Sequence, residues 1–202
     1  MAPRIEKAVV SGVFSLDGQD FDVDNNVWLV GDDDEVLVID APHDAAPIVE
    51  AIGGRRVTAI VLTHGHNDHI TAAAALREAT GAPVWFNPGD RMLWDVVHPA
   101  ETPDDELTEG TRFDVAGTTL VAVSTPGHSP GSTCLYAADL GTVFTGDTLF
   151  CGGPGATGRS FSDHPTIVDS IRTRLLTLPG DTVVRTGHGD DTTIDAERAS
   201  IT

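Results

Sequence analysis

Val57-Thr-Ala-Ile-Val-Leu-Thr-His-Gly-His-Asn-Asp-His69 is the stretch on which the reading of this chain turns. Val57–Leu62 is apolar and β-branched throughout, as in a strand covered on both faces. His-x-His-x-Asp-His follows at once, from His64 to His69. Imidazoles and a carboxylate suit zinc or iron. His64 and His66, two residues apart, share a face of an extended segment. Asp68 and His69 come where the chain turns towards a helix. One short segment can therefore feed two metals, but it cannot complete two coordination shells.

The missing ligands have candidates further along. His128 lies in Pro126-Gly-His-Ser-Pro-Gly131, Asp147 in Thr145-Gly-Asp-Thr148 and His188 in Thr186-Gly-His-Gly189. Each follows a strand-like run, and each has a glycine beside it that permits a tight turn and close backbone approach. A lone Gly-His-Gly or Gly-Asp-Thr is ordinarily a surface turn or a helix cap. Their occurrence together, each at a strand end, argues for one site, because sites in α/β proteins gather beyond the carboxyl ends of strands.

Around these motifs, strand and helix patterns alternate. Val27–Val30 and Val36–Ile39 flank the acidic turn Gly31–Glu35 as a hairpin. Ala72–Ala79 reads as a helix stopped by Gly81. Pro83–Phe86 reads as a short strand and Asp90–Val97 as a helix. Arg112–Val115 and Thr119–Ser124 pair around Gly117, and Thr133–Ala137 and Thr142–Phe144 follow. Pro165–Leu178 is the clearest helix, with Pro165 in its first turn and Val168, Ile171, Leu175 and Leu178 on one face. Thr182–Val184 is a last strand. No linker interrupts residues 1–202, which read as one domain of two similar halves, roughly 1–110 and 111–202. His43, His98 and His164 have no ligand-like company and read as surface or loop histidines.

Composition narrows the class. The 202 residues are 40% apolar, which suits a globular chain. A net charge of −19 opposes contact with nucleic acid or anionic lipid. No apolar run approaches bilayer length, and the start lacks a secretory signal, so the expected setting is the cytoplasm. Cys134 and Cys151, the only two cysteines, make no disulfide framework and read as reduced thiols.

The motifs at His64–His69, His128, Asp147 and His188, preceded by Asp40 after the Val36–Ile39 strand, resemble those of the metallo-β-lactamase superfamily, in order and across nearly the whole chain. The resemblance implies an α/β fold, a four-layer αββα sandwich with its site along one edge. It assigns His64, His66 and His128 to one divalent cation, and Asp68, His69 and His188 to a second. Asp147 bridges them and Asp40 orients ligands. Zinc is the expected metal, with iron or manganese as alternatives. Such a pair activates a shared water as the nucleophile, and Asp68, the expected catalytic residue, holds it and moves its proton.

Within the superfamily the motifs look most like glyoxalase II, whose substrates are acyl thioesters. Asp147 argues against the β-lactamases that place Cys there. Phe150 stands where lactonases of this fold carry Tyr. The helical segment with which glyoxalase II helps bind glutathione has no counterpart in the 14 residues after His188. The expectation therefore shifts towards another small thiol or acyl carrier. The glycine-rich stretch Cys151–Arg159 reads as a mobile loop beside the site, with Arg159 and Phe150 as candidate substrate contacts. Three alternatives stay open. A lactonase or other ester hydrolase of the same fold would keep the two-metal site. A mono-iron persulfide dioxygenase of the same fold would use His64, His128 and Asp147 alone. A metal-stabilised binding module would need no open site at all.

Overall fold

The computed structural model describes residues 2–201. Six strands form the first sheet in the order of the chain: β1 (Arg4–Leu16), β2 (Gln19–Gly31), β3 (Glu35–Ile39), β4 (Arg56–Val61), β5 (Val84–Phe86) and β6 (Asp105–Glu106). Four helices lie in its connections: α1 (Ala45–Ile52), α2 (Asn67–Ile70), α3 (Ala73–Thr80) and α4 (Arg91–Val97). The second sheet begins with β7 (Arg112–Val115), β8 (Thr118–Ser124), β9 (Thr133–Ala137) and β10 (Thr142–Gly146). A small separate hairpin, β11 (Leu149–Phe150) with β12 (Gly153–Pro154), precedes α5 (His164–Ser170). β13 (Val183–Thr186), β14 (Thr192–Thr193) and α6 (Ile194–Glu197) complete the chain, and the sheet runs β14-β13-β10-β9-β8-β7.

Three apolar clusters stack these elements into four layers. Strand residues alternate between clusters, as a period of two requires. Val36 and Val38 of β3, with Ile60 of β4, pack against Ile48, Leu76 and Trp94 of the first helix layer. Leu37, Ile39 and Val61 turn the other way and meet Leu120, Leu135 and Phe144 of the second sheet. Cys134, Val143 and Val184 on the outer face of that sheet meet Ile167, Ile171, Leu175 and Ile194. This is the expected αββα sandwich. Fully burying each of these Leu or Ile side chains contributes about 2 kcal/mol.

The expected core strands hold to within a residue or two. The largest difference lies at the start of the chain, where β1 and β2 form a hairpin of 13 residues per strand. Its two-residue turn is Asp17-Gly18, both at positive φ (53° and 71°), the geometry that matches strand twist. Helix α1 also exceeds the sequence reading. Its signals are the Asp44 side chain accepting from Ala46 N at 2.9 Å and Gly53 closing the end at φ 65°. The expected Pro165–Leu178 helix is regular only to Ser170. Beyond it the turns widen, and Leu176 N donates to Ile171 O, five residues back, at 2.9 Å.

Strand ends deliver the site. β3 and β4 are parallel, as are β10 and β13, so their carboxyl ends emerge together. Backbone bonds tie those ends together, within the second sheet and across to the first. Thr133 N donates to Thr63 O, Gly187 N to Gly146 O and Asn26 N to Gly187 O, each at 2.8 Å. No helix among the described residues is long and apolar enough to cross a membrane.

Candidate metal centre

All seven candidate ligands converge at that shared edge. His64 and His66 leave the end of β4, Asp68 and His69 open α2, His128 follows β8, Asp147 follows β10 and His188 follows β13. His66 Nδ1 lies 3.0 Å from His64 Nε2 and 2.9 Å from His128 Nε2. A second group forms beside it. His188 Nε2 lies 3.2 Å from His69 Nε2 and 3.3 Å from Asp68 Oδ2. Asp147 stands between the groups. Its Oδ1 is 3.3 Å from His69 Nε2, and its Oδ2 is 3.4 Å from His188 Nε2 and 3.6 Å from His128 Nε2. The trios His64–His66–His128, His64–His69–Asp147 and Asp68–His69–His188 can each hold a cation.

The far nitrogens decide which atoms face inward. His128 Nδ1 donates to Ala156 O at 2.9 Å, His188 Nδ1 to Asp24 O at 2.8 Å and His69 Nδ1 to Asp40 Oδ2 at 2.8 Å. Thr63 Oγ1 donates to Asp40 Oδ2, so it accepts from His64 Nδ1 at 3.1 Å. In each ring the proton on Nδ1 leaves Nε2 as the metal-facing atom, as outer partners do for ligating histidines. Asp68 Oδ1 and Asp147 Oδ1 are buried and accept no hydrogen bond. Converging nitrogen donors and unsatisfied carboxylate oxygens fit a pair of divalent cations.

Electrostatics agree. Burial, with a neighbouring imidazole, pushes His66 down to about 3 and His64 well below its usual value, so both are neutral. Burial works the same way at His188, but Asp147 and Asp68 outweigh it and push that ring up to about 10. His69 is raised for the same reason, and Asp147 is held well below the usual carboxylate range by His69 and His188 despite its burial. Without a cation the second group thus keeps protons as substitute positive charge.

Asp40 lies behind the second group. It adopts φ 66°, a conformation costing a residue with a side chain about 1 kcal/mol, and accepts from Thr63 N at 2.7 Å as well as from Thr63 Oγ1 and His69. Gly187 is required for closeness. A Cβ there would lie 2.3 Å from Asp147 Oδ1.

A cavity of about 390 Å³ opens over the centre, walled by Phe14, Val23, Asp24, Phe150 and Ala156. The Phe14 ring is 5.2 Å from His66 and the Phe150 ring 6.2 Å from His188, so aromatic faces flank both groups. Phe150 is among the lining residues. Arg159 is not. Its guanidinium stacks over Phe21 at 4.5 Å and Nη1 donates to Gln19 Oε1 at 3.0 Å, clamping the tip of the β1–β2 hairpin. Arg159 is thus directed at the hairpin tip, away from the residues that line the cavity.

Sequence reasoning missed five contributors. Phe14 and Val23 belong to the hairpin, whose Asp-Gly turn was its signal. Asp90 is buried and accepts from Gly65 N, Gly131 N and Ser129 Oγ, joining two ligand loops. Asn26 donates from its amide to Thr186 O and Gly189 O and fixes the His188 turn. Asn25 is fully buried against the second group. His43 is no isolated surface histidine, since its Nε2 meets Asn25 Oδ1 at 2.7 Å. His98 is buried too, bonded to Ile70 O and stacked on Trp94.

Residues 21–188 match the metallo-beta-lactamase superfamily. The chain belongs to that superfamily. Hydroxyacylglutathione hydrolase GloC of Haemophilus influenzae is 32% identical over 191 residues, covering 87% of this chain and 90% of its own. The structure of TTHA1623 in a di-iron-bound form superposes with a TM-score of 0.78 at 32% identity, over 88% of this chain and 94% of that one. ETHE1 from Myxococcus xanthus gives 0.73 at 28% identity, over 95% and 83%. Like other members of the metallo-beta-lactamase superfamily, this chain is a metallo-hydrolase in build, with His and Asp clusters suited to divalent metal.

Proposed function

We propose that this protein is a dinuclear metal-dependent hydrolase of small acyl thioesters. The observation that carries the reading is Asp147, set between a three-histidine group and an Asp-His-His group at the floor of one cavity. The cation pair would be held by His64, His66 and His128 on one side and by Asp68, His69 and His188 on the other. When bound, it supplies an activated water and Lewis-acid polarisation of the substrate carbonyl. Asp68 keeps Oδ1 free and buried, ready to take the proton of the attacking water. Phe14 and Phe150 exclude bulk water from either flank and offer apolar surface to an acyl group. The walls formed by Phe14, Val23, Phe150 and Ala156 are apolar, and the carboxylates that line the cavity are Asp24, Asp68 and Asp147. A thiol leaving group needs no proton from them, because with a pKa of about 8.5 it departs as a thiolate.

The name of the Haemophilus relative and the di-iron likeness support a thioesterase with two metals. Likeness to ETHE1 supports the second reading, a mono-iron persulfide dioxygenase served by His64, His128 and Asp147. The test is a panel of acyl thioesters of glutathione and of uncharged N-acetylcysteamine, assayed for free thiol with metal-loaded and metal-free protein. Metal-dependent thiol release from either carrier is the expected result. Oxygen uptake with a persulfide and no thiol release would favour the dioxygenase.

A further inference from the structure

The second ligand group has one polar neighbour that the motifs do not account for. Asn25 Nδ2, as placed, lies 3.1 Å from Asp68 Oδ2, 3.3 Å from His69 Nε2 and 3.4 Å from His188 Nε2. Those three ligand atoms are themselves 3.2, 3.3 and 3.6 Å apart. The four atoms therefore stand at the corners of a nearly regular tetrahedron. A tetrahedron of edge about 3.3 Å has its centre about 2.0 Å from each corner, which is a zinc–nitrogen or zinc–oxygen bond length. As hydrogen bonds to the two imidazoles, 3.3 and 3.4 Å are beyond the usual range. As edges of a coordination polyhedron, the same distances are ordinary.

An NH2 does not bind a metal, but a carboxamide oxygen does. A half-turn of the amide exchanges the two without moving any neighbour, since they differ little in shape. The partner on the far side permits this. His43 Nε2 lies 2.7 Å from the other end of the amide. It donates to Oδ1 in one tautomer, and in the other it accepts from Nδ2, which leaves Oδ1 facing Asp68, His69 and His188. Asn25 is fully buried and its backbone is held in the β1–β2 ladder opposite Val10, so the side chain has nowhere else to aim.

We infer that Asn25 is an additional ligand of the second cation, through its amide oxygen, and that His43 holds the amide in that orientation. The inference rests on reading the centre as dinuclear. It concerns metal affinity, so its readout is independent of any substrate.

The test is titration of metal-free protein with Co(II), following affinity and the visible absorption of each bound ion, in wild type, Asn25→Leu, Asn25→Asp and His43→Phe. A ligand role predicts that Asn25→Leu weakens the second ion by about tenfold or more, leaves the first unchanged and alters the spectrum of the second. It predicts that Asn25→Asp keeps the second ion, because a carboxylate accepts the metal although it cannot donate. His43→Phe weakens the second ion by a smaller factor. Wild-type affinities and spectra in Asn25→Leu would overturn the inference. Loss of the second ion in Asn25→Asp would do so as well, since that is the mark of an amide acting only as donor to Asp68. The Asp variant decides alone should Asn25→Leu fail to fold. Failure of wild type to bind any ion overturns both the inference and the dinuclear reading, whereas a failed inference alone leaves two ions bound in wild type.

Discussion

The carboxylate of Asp90 accepts a hydrogen bond from the backbone N–H of Gly65 at 2.8 Å. Its other contacts, Gly131 N and Ser129 Oγ at 2.6 Å each, belong to the loop that carries His128. Gly65 sits between His64 and His66. One buried side chain thus braces both halves of the three-histidine group without touching a metal position. Asp90→Ala leaves the buried N–H groups of Gly65 and Gly131 without an acceptor and Ser129 Oγ with Ser132 Oγ alone, and we expect it to cost roughly 3 kcal/mol of stability. Chemical denaturation of the metal-free protein measures this. An Asp90→Ala variant as stable as wild type would remove Asp90 from the account.

Gly187→Ala tests how tightly the bridge is packed. The added Cβ would lie 2.3 Å from Asp147 Oδ1 and 2.9 Å from His69 Cε1, inside any real contact distance. We expect the fold to persist with the second-cation affinity reduced by about tenfold or more. Competition with a metal chelator gives the number, and an unchanged affinity would show that the bridge tolerates displacement.

Metal binding should release protons. Burial would lower His188, but Asp147 and Asp68 raise it from 6.5 to about 10, and His69 is raised by the same carboxylates. Both rings therefore carry protons at pH 7 without metal, and a cation must displace them, about two per chain. Because the folded His188 holds its proton more tightly than the unfolded chain does, it stabilises metal-free protein fully below pH 6.5. That contribution fades as pH rises towards about 10. Calorimetric zinc titration near neutral pH in buffers of different ionisation enthalpy counts the protons. A count of zero would mean the carboxylates do not raise these rings.

The two cysteines should differ sharply in reactivity. Cys151 is exposed, while Cys134 is fully buried, and burial pushes its thiol up to about 11. A disulfide reagent at neutral pH should label one thiol per native chain and a second only after denaturation. Fast labelling of both in native protein would contradict the packing of β9 against the second helix layer.

The parts of this fold legible from sequence were those with a strong period or a rigid chemical motif. The run before His64 and the apolar run Val36–Ile39 mark strands because both faces are buried. The ligands were legible because chemistry restricts them to His and Asp. The β1–β2 hairpin was harder. Its outer positions, such as Ser11, Ser15, Asp20 and Asp22, leave little apolar contrast along the strands, and its turn was the clearer signal. Asp90, Asn25 and His43 were illegible for a different reason. Each acts through a contact 18 or more residues away, which no local pattern encodes. Arg159 shows the converse case, since a cation in a glycine-rich loop invites a ligand, but here it lies against Phe21 and Gln19, away from the cavity lining.

The most direct test of the whole account is a stoichiometric titration of metal-free protein with zinc, read as ions bound per chain. Two ions in wild type, with both weakened in Asp147→Ala, is the result predicted from a carboxylate shared between His69, His188 and His128. Saturation at a single ion, or an Asp147→Ala variant that still holds two with full affinity, would contradict it.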